Sequence, residues 1–170
     1  LLKTKDYNIF SVLQIQSKEV LICRMIADLL NPRGQHGAGA EYLKIFLRDC
    51  LGMEKMDTKL ADQAIVTAEY AIDDERIIDI VIEMGSYFLP IEVKIYAADQ
   101  KSQCFDYYQY AKRRDAQAKV YYLTLDGHRP GKDSTSSGSQ SVPEEDIVCL
   151  SFRVHILNWL KACKSCENTG

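Results

Sequence analysis

The 170-residue sequence predicts an α/β domain in which a sheet of about four to five strands is flanked by helices, in the order helix, three strands, helix, strand. Three observations carry that expectation. Residues 77–84 and 87–95 are strand-like runs separated by Gly85-Ser86, and glycine followed by a small polar residue is a two-residue hairpin signal. Segments with apolar residues three and four apart lie on both sides of that hairpin and read as amphipathic helices. The run Val120-Tyr-Tyr-Leu-Thr-Leu125, after the second of these helical stretches, is rich in strand formers. The length suits a single domain over residues 1–170 and is enough to bury a sizeable core.

Taken in order, residues 8–15 form a short apolar helical segment with Asn8 as its cap. A helix over 18–30 follows, with Ser17 as N-cap, an inward stripe of Ile22, Met25, Ile26, Leu29 and Leu30, and a stop at Asn31-Pro32. Glu19, in its first turn, suits either the helix dipole or a role as an acid aimed elsewhere. The glycine-rich loop 31–39 carries Arg33 and His36 but matches no phosphate-binding spacing, so it reads as a connection. A second helix covers 40–51 with Tyr42, Leu43, Phe46 and Leu47 inward, ending at Gly52. The first strand runs over 64–72 and turns back at Asp73-Asp74-Glu75 into the hairpin. A three-residue turn there sets Glu69 opposite Asp79.

After the hairpin, a helix over 100–114 presents Gln103 and Tyr107 four apart with Gln100 nearby, its N-terminus placed to receive a phosphate. Strand 120–125, a long Ser/Gly-rich loop at about 126–143, a short strand over 147–150 and a helix over 152–163 complete the chain. The last helix is expected to bury Val154, Leu157, and Trp159 or Leu160, with His155 a surface or packing histidine.

Hydrophobic residues make up 46% of the chain and charged residues 26%, which is ordinary for a globular protein. No apolar run approaches the ~20 residues of a membrane helix, and the N-terminus lacks a signal-peptide pattern. A cytoplasmic protein without a membrane partner is expected. The sequence begins at Leu1, not methionine, and so reads as an excised or trimmed piece. A net charge of −3 gives no global pull toward nucleic acid, so any such contact must come from local basic patches. The six cysteines read as reduced and largely buried; Cys163-Lys-Ser-Cys166 has the spacing of half a zinc site or a redox pair, but no second Cys or Cys/His pair accompanies it.

The chemistry concentrates in the hairpin. Counting outward from its turn puts Met84 opposite Tyr87, Val81 opposite Pro90, and Asp79 opposite Glu92. Opposed side chains in an antiparallel pair have Cβ atoms about 4.5–5.5 Å apart, close enough for two carboxylates to share one divalent cation. Lys94 lies two residues beyond Glu92 on the same face. Ile78, Ile80, Ile82, Ile91, Val93 and Ile95 are expected to point the other way, into the core. The pattern alone admits two readings, metal chemistry or a surface salt-bridge cluster with Lys94 pairing to either acid. Pro90 bears on the register, since a bulge there would shift Glu92 by one residue.

The order of elements around Asp79…Glu92-X-Lys94, with NIFSVLQI, ADLLNPRGQHGAG, RIIDIVIE, IEVKIYAADQKSQCFDYY and YYLTLDG, resembles the PD-(D/E)XK nuclease superfamily and within it the PDDEXK-type family. The resemblance runs from about Asn8 to Cys163. It implies a restriction-endonuclease-like core with a central mixed sheet (αβββαβ) and a nuclease that uses Mg²⁺ or Mn²⁺ to hydrolyse DNA. It implies metal ligation by Asp79, Glu92 and the Val93 carbonyl, with Glu19 and Glu69 completing the acidic shell. Lys94 is assigned to the attacking water or the transition-state phosphate, and Gln100, Gln103 and Tyr107 to the lining of the site. The sequence departs from the family pattern at Val93, where asparagine is usual, and at Ile22-Cys23, where a His-Ser pair is expected. The rival reading is a nuclease fold kept as a binding or assembly module without turnover. RNA stays open as a substrate because no 2′-OH reader is evident, and so does homodimer formation.

Overall fold

The structure, a computed structural model, describes residues 19–167. The helical segment expected at 8–15 and the Ser17 cap lie outside the described residues. Helices α1 (Glu19–Leu30), α2 (Glu41–Asp49) and the short α3 (Thr58–Asp62) lead into β1 (Ile65–Ala71), β2 (Ile77–Met84) and β3 (Tyr87–Lys94). Helix α4 (Gln103–Arg114) then crosses to β4 (Val120–Thr124). A helical turn, α5 (Lys132–Thr135), and a small hairpin, β5 (Ser136–Ser137) with β6 (Gln140–Ser141), precede β7 (Ile147–Ser151) and α6 (Leu157–Glu167). The stretch expected as one long loop therefore carries local structure, and Ser134 and Val142 within it are buried.

The main sheet has five strands in the order β1-β2-β3-β4-β7, antiparallel from β1 to β3 and parallel from β3 to β7. The parallel half follows from the crossover through α4, since parallel neighbours need a long connection. β4 is buried at every residue, as its nearly unbroken apolar run requires for a strand covered on both faces. One sheet face packs against α1, α2 and α6, joining Ile26, Leu43, Phe46 and Trp159 to Ile80, Ile82, Ile91 and Val93. The other packs against α4 through Cys104, Tyr107 and Ala111, which meet Ile78, Val81, Phe88 and Tyr122.

Two helices are rotated from their expected phase. On α1 the buried residues are Cys23, Ile26, Ala27 and Leu30, while Met25 is exposed. The small Cys23 and Ala27 complete an i, i+3, i+4, i+7 stripe that the bulkier side chains mask in the sequence. In the last helical region a π-helical turn (Phe152–Ile156) precedes α6 and changes the phase, so Ile156, Trp159 and Cys163 are buried while Val154, Leu157 and Leu160 face outward. His36 closes the 31–39 loop by accepting the Ala38 N–H at Nδ1 (3.1 Å) and by stacking on Tyr42.

Trp159 is 1% exposed, meets Phe46 edge-on at 5.3 Å, and donates its indole N–H to the Tyr42 carbonyl at 2.8 Å. Trp159→Ala is expected to destabilise the fold by about 3–5 kcal/mol, the range for deleting a buried aromatic. Because this is the sole tryptophan, urea unfolding should be followed by circular dichroism. A loss below about 1 kcal/mol would contradict the packing role, since that is no more than a typical substitution produces.

Candidate active site

The hairpin register is the expected one, with Met84 opposite Tyr87 and Val81 opposite Pro90. No bulge forms at Pro90. Alternate pairs of an antiparallel ladder exchange no hydrogen bonds, and Pro90 sits in such a pair, one residue before the ladder to β4 opens at Ile91. The last partners between β2 and β3 are Ile80 and Ile91. Beyond them a side chain takes over the ladder, for Asp79 accepts the Val93 N–H at Oδ2 (2.7 Å). That bond holds the Asp79 carboxyl beside β3 at the level of Glu92.

The neighbouring strand explains how the pair comes to stand there. The turn at Asp73-Asp74-Glu75 is closed by the Ile72 N–H on the Arg76 carbonyl (2.9 Å), and Ala68 faces Ile80 while Tyr70 faces Ile78. Glu69 thus falls opposite Asp79, as a three-residue turn requires. Its φ of 54° is left-handed, however, and the regular alternation fails at this point. Ala68 and Ile80 pack toward α1, whereas Tyr70 and Ile78 pack toward α4. The expectation that Ile78 joins Ile80 and Ile82 in one core is corrected accordingly.

Glu92 is 1% exposed and Lys94 9% exposed. The Lys94 ammonium lies 2.8 Å from Glu92 Oε1, while Glu92 Oε2 is buried with no hydrogen-bond partner. Burial, then the charge of Asp79, raises the Glu92 carboxyl well above the usual range. Burial likewise raises Asp79, against the Val93 N–H and Lys94, which oppose it. Burial pulls Lys94 down, but Glu92, Asp79 and Glu19 outweigh it and hold the ammonium protonated. Both carboxyls are thus held toward their protonated forms, which a nearby positive charge would oppose.

The remaining expected residues surround this trio without joining it. Glu19 Oε1 accepts the N–H groups of Ile95, Tyr96 and Ala97 at 2.7, 2.8 and 3.1 Å, fixing the exit of β3. Burial alone would raise its carboxyl, yet those donors and Lys94 bring it below the ordinary value. Glu69 pairs with Arg24, whose guanidinium lies 2.7 Å from Oε2. Among the described residues no three His, Cys, Asp or Glu side chains converge as a metal cluster. Cys23, buried on α1, is raised by burial and then by Asp79 and Glu92, which places the thiol within electrostatic reach of the acids.

Helix α4 begins at Gln103, not Gln100, and three of its first N–H groups are already bonded. That of Gln103 meets the Gln100 carbonyl, that of Cys104 the Ser134 hydroxyl, and that of Asp106 the Ser102 carbonyl. Most of the donors that the expected phosphate cradle would use are thus taken by the chain itself. Tyr107 is 1% exposed; its hydroxyl donates to the Ile77 carbonyl (2.5 Å) and accepts from Gln103 Nε2 (3.0 Å). These two residues tie α4 to β2 behind the acids. Gln100 is exposed and accepts from Arg76 at Oε1 (3.0 Å).

Two supports escape the sequence reading. Arg76 reaches from the hairpin's edge to Asp106 (2.7 Å) and to the Lys101 carbonyl (2.7 Å), locking the start of α4. Tyr122, the partner of Glu92 on β4, donates to Asp99 Oδ1 (2.5 Å), whose Oδ2 accepts the Gly131 N–H (2.7 Å). The signal for Tyr122 was its place in a parallel strand beside Glu92, but parallel register is invisible without the crossover geometry.

The donor set can be tested against a divalent cation. A buried carboxylate oxygen without a donor, facing a second carboxyl with a raised pKa, is a site that a cation would satisfy. All-oxygen ligation by one or two carboxylates, completed by water and phosphate oxygens, suits Mg²⁺ or Mn²⁺ better than zinc. The residues present fit such an ion. A family model, that of the PD-(D/E)XK nuclease superfamily, matches residues 7–169. No curated protein and no solved structure matched the chain.

Proposed function

Since the chain belongs to the PD-(D/E)XK nuclease superfamily, we propose that it is a divalent-metal-dependent nuclease that hydrolyses phosphodiester bonds of DNA. The observation that carries the reading is the trio Asp79, Glu92 and Lys94 on adjacent strands, with one buried acid oxygen lacking any donor. Asp79 and Glu92 would hold the cation, with the Val93 carbonyl between Glu92 and Lys94 as a further ligand. When bound, such an ion polarises a phosphoryl oxygen and makes water easier to ionise.

Lys94 would act on the attacking water or the transition-state phosphate; its pairing with Glu92 favours the second role, a fixed positive charge for the phosphate oxygens. Glu19 holds the Ile95–Ala97 backbone that carries the strand away from Lys94, and is a positioning residue in this reading. Gln103 and Tyr107 are likewise positioning residues, because their polar groups are bonded within the protein. Gln100 remains exposed to a substrate.

Titration of the protein with Mn²⁺ by calorimetry, followed by a plasmid-nicking assay, tests the proposal. The expected result is a saturable binding event lost in Asp79→Ala, and nicking that requires the metal. Binding without nicking would favour the assembly-module reading, and absence of both would overturn the metal site.

A further inference from the structure

The segment after β4 is fastened to the back of the site. The Gly127 N–H bonds the Thr124 hydroxyl (2.8 Å), and the Gly131 N–H bonds Asp99, which also receives Tyr122. A Cβ on Gly131 would stand 3.3 Å from Asp99 Oδ2, so the backbone approaches this carboxylate as closely as glycine comfortably permits. Farther along, the Ser102 N–H meets the Asp133 carbonyl (2.7 Å) and the Ser102 hydroxyl the Ser136 carbonyl (2.8 Å). The segment is thus one tyrosine and one carboxylate away from Glu92.

The same segment lines a cleft of about 440 Å³ with Arg129, Lys132, Thr135, Ser141 and Glu144, among others. Arg129 and Lys132 are exposed, and neither forms an ion pair among the described residues. Arg129 donates only to the Glu144 carbonyl, at 3.2 Å. Most other arginines are engaged, as Arg24 is by Glu69, Arg48 by Asp49, Arg76 by Asp106 and Arg114 by Glu83. The hydroxyls of Thr135 and Ser136 donate to the Lys132 carbonyl (3.2 and 2.7 Å), which leaves the two cations as the anion-seeking groups of the cleft. In a chain of net charge −3, such a local basic pair is what contact with a polyanion requires.

We propose that Arg129 and Lys132 form an anchor for backbone phosphates of the DNA strand that flanks the scissile bond. The inference rests on the nuclease reading for its substrate but not for its geometry. A flexible loop would make a poor anchor; this one is held by Asp99 and Ser102, so its cations keep a fixed relation to Glu92 and Lys94.

The test is binding of a fluorescein-labelled DNA duplex in EDTA, where no cleavage occurs, at several salt concentrations. Each phosphate contact contributes about 0.9 to the slope of log affinity against log salt. Arg129→Ala/Lys132→Ala is expected to reduce that slope by about two, and Arg129→Lys/Lys132→Arg to retain it. Lys161→Ala, on α6 against the opposite sheet face, should leave it unchanged. Circular dichroism confirms that the variants fold. An unchanged slope in the double alanine variant of a protein that nicks DNA overturns the anchor alone. A slope that falls as expected in a protein unable to nick supports the anchor and sinks the nuclease reading. Wild-type protein that neither binds nor nicks overturns both.

Discussion

Lys94→Ala is expected to slow DNA cleavage by about 100- to 1,000-fold, the loss typical of removing one preorganised electrostatic contact to a developing charge. The argument begins with where the ammonium is held. Lys94 is 9% exposed, and Glu92 fixes it at 2.8 Å, so it meets a phosphate without first reorganising solvent. The fold should survive, because the carboxyl left behind can take up a proton, a state that burial already favours. Deleting the lysine also removes an influence that lowers the pKa values of both acids. It also removes a positive charge that would oppose a bound cation, so metal affinity should change alongside the rate, and the assay must be run at saturating Mn²⁺ to separate the two. Lys94→Arg keeps the charge but replaces a compact ammonium by a planar fork, and should recover only part of the rate. Undiminished cleavage by a clean Lys94→Ala preparation would remove the lysine from the mechanism.

How much of this was legible in the sequence follows from the range of the forces involved. The hairpin could be read because Gly85-Ser86 fixes register locally as far as Ile80 and Ile91, and beyond that pair the Val93 N–H holds Asp79 beside β3. The turn at Asp73-Asp74-Glu75 was legible for the same reason, Asp73 Oδ1 accepting the N–H groups of Glu75 and Arg76 (2.8 and 2.7 Å) as a local turn should. What the sequence hid depends on distant partners. Glu69 stands where counting places it, yet its backbone is left-handed and its carboxylate is paired with the distant Arg24, neither of which counting reveals. Glu19 sits next to three N–H groups more than seventy residues along the chain, a contact no periodicity encodes. The helix phases of α1 and α6 are hidden because the small Cys23 and Ala27 stand among bulkier apolar residues, and because a π-helical turn adds a phase shift that composition does not announce. The long polar stretch before β7 read as a loop from its serines and glycines, whereas Ser134 and Val142 anchor it.

Glu92→Gln is expected to stabilise the metal-free protein while removing its response to metal. In the wild type, Glu92 Oε2 is buried without a donor and faces Asp79, an arrangement that penalises the ionised pair. An amide in this position keeps a carbonyl oxygen for Lys94 and gains an N–H that can donate to Asp79. Relief of one unsatisfied buried polar atom is worth about 1–3 kcal/mol, or roughly 2–10 °C in Tm for a chain of this size. The pH dependence follows from the direction of the shift. A carboxyl whose folded pKa lies above its ordinary value of 4.5 binds its proton more tightly in the folded state. Its favourable contribution is complete below 4.5 and is lost as pH rises through the raised folded value. Metal-free wild type should therefore lose stability as pH climbs from the acid range, and Glu92→Gln should lose less. Mn²⁺ must displace that proton, so its affinity for the wild type should increase with pH over the same interval. In thermal melts, Mn²⁺ should raise the Tm of the wild type and leave that of Glu92→Gln nearly unmoved. A variant less stable than wild type in EDTA, or one still shifted by Mn²⁺ to the wild-type extent, would show that Glu92 is a structural salt-bridge partner of Lys94 and not the carboxylate on which the cation depends.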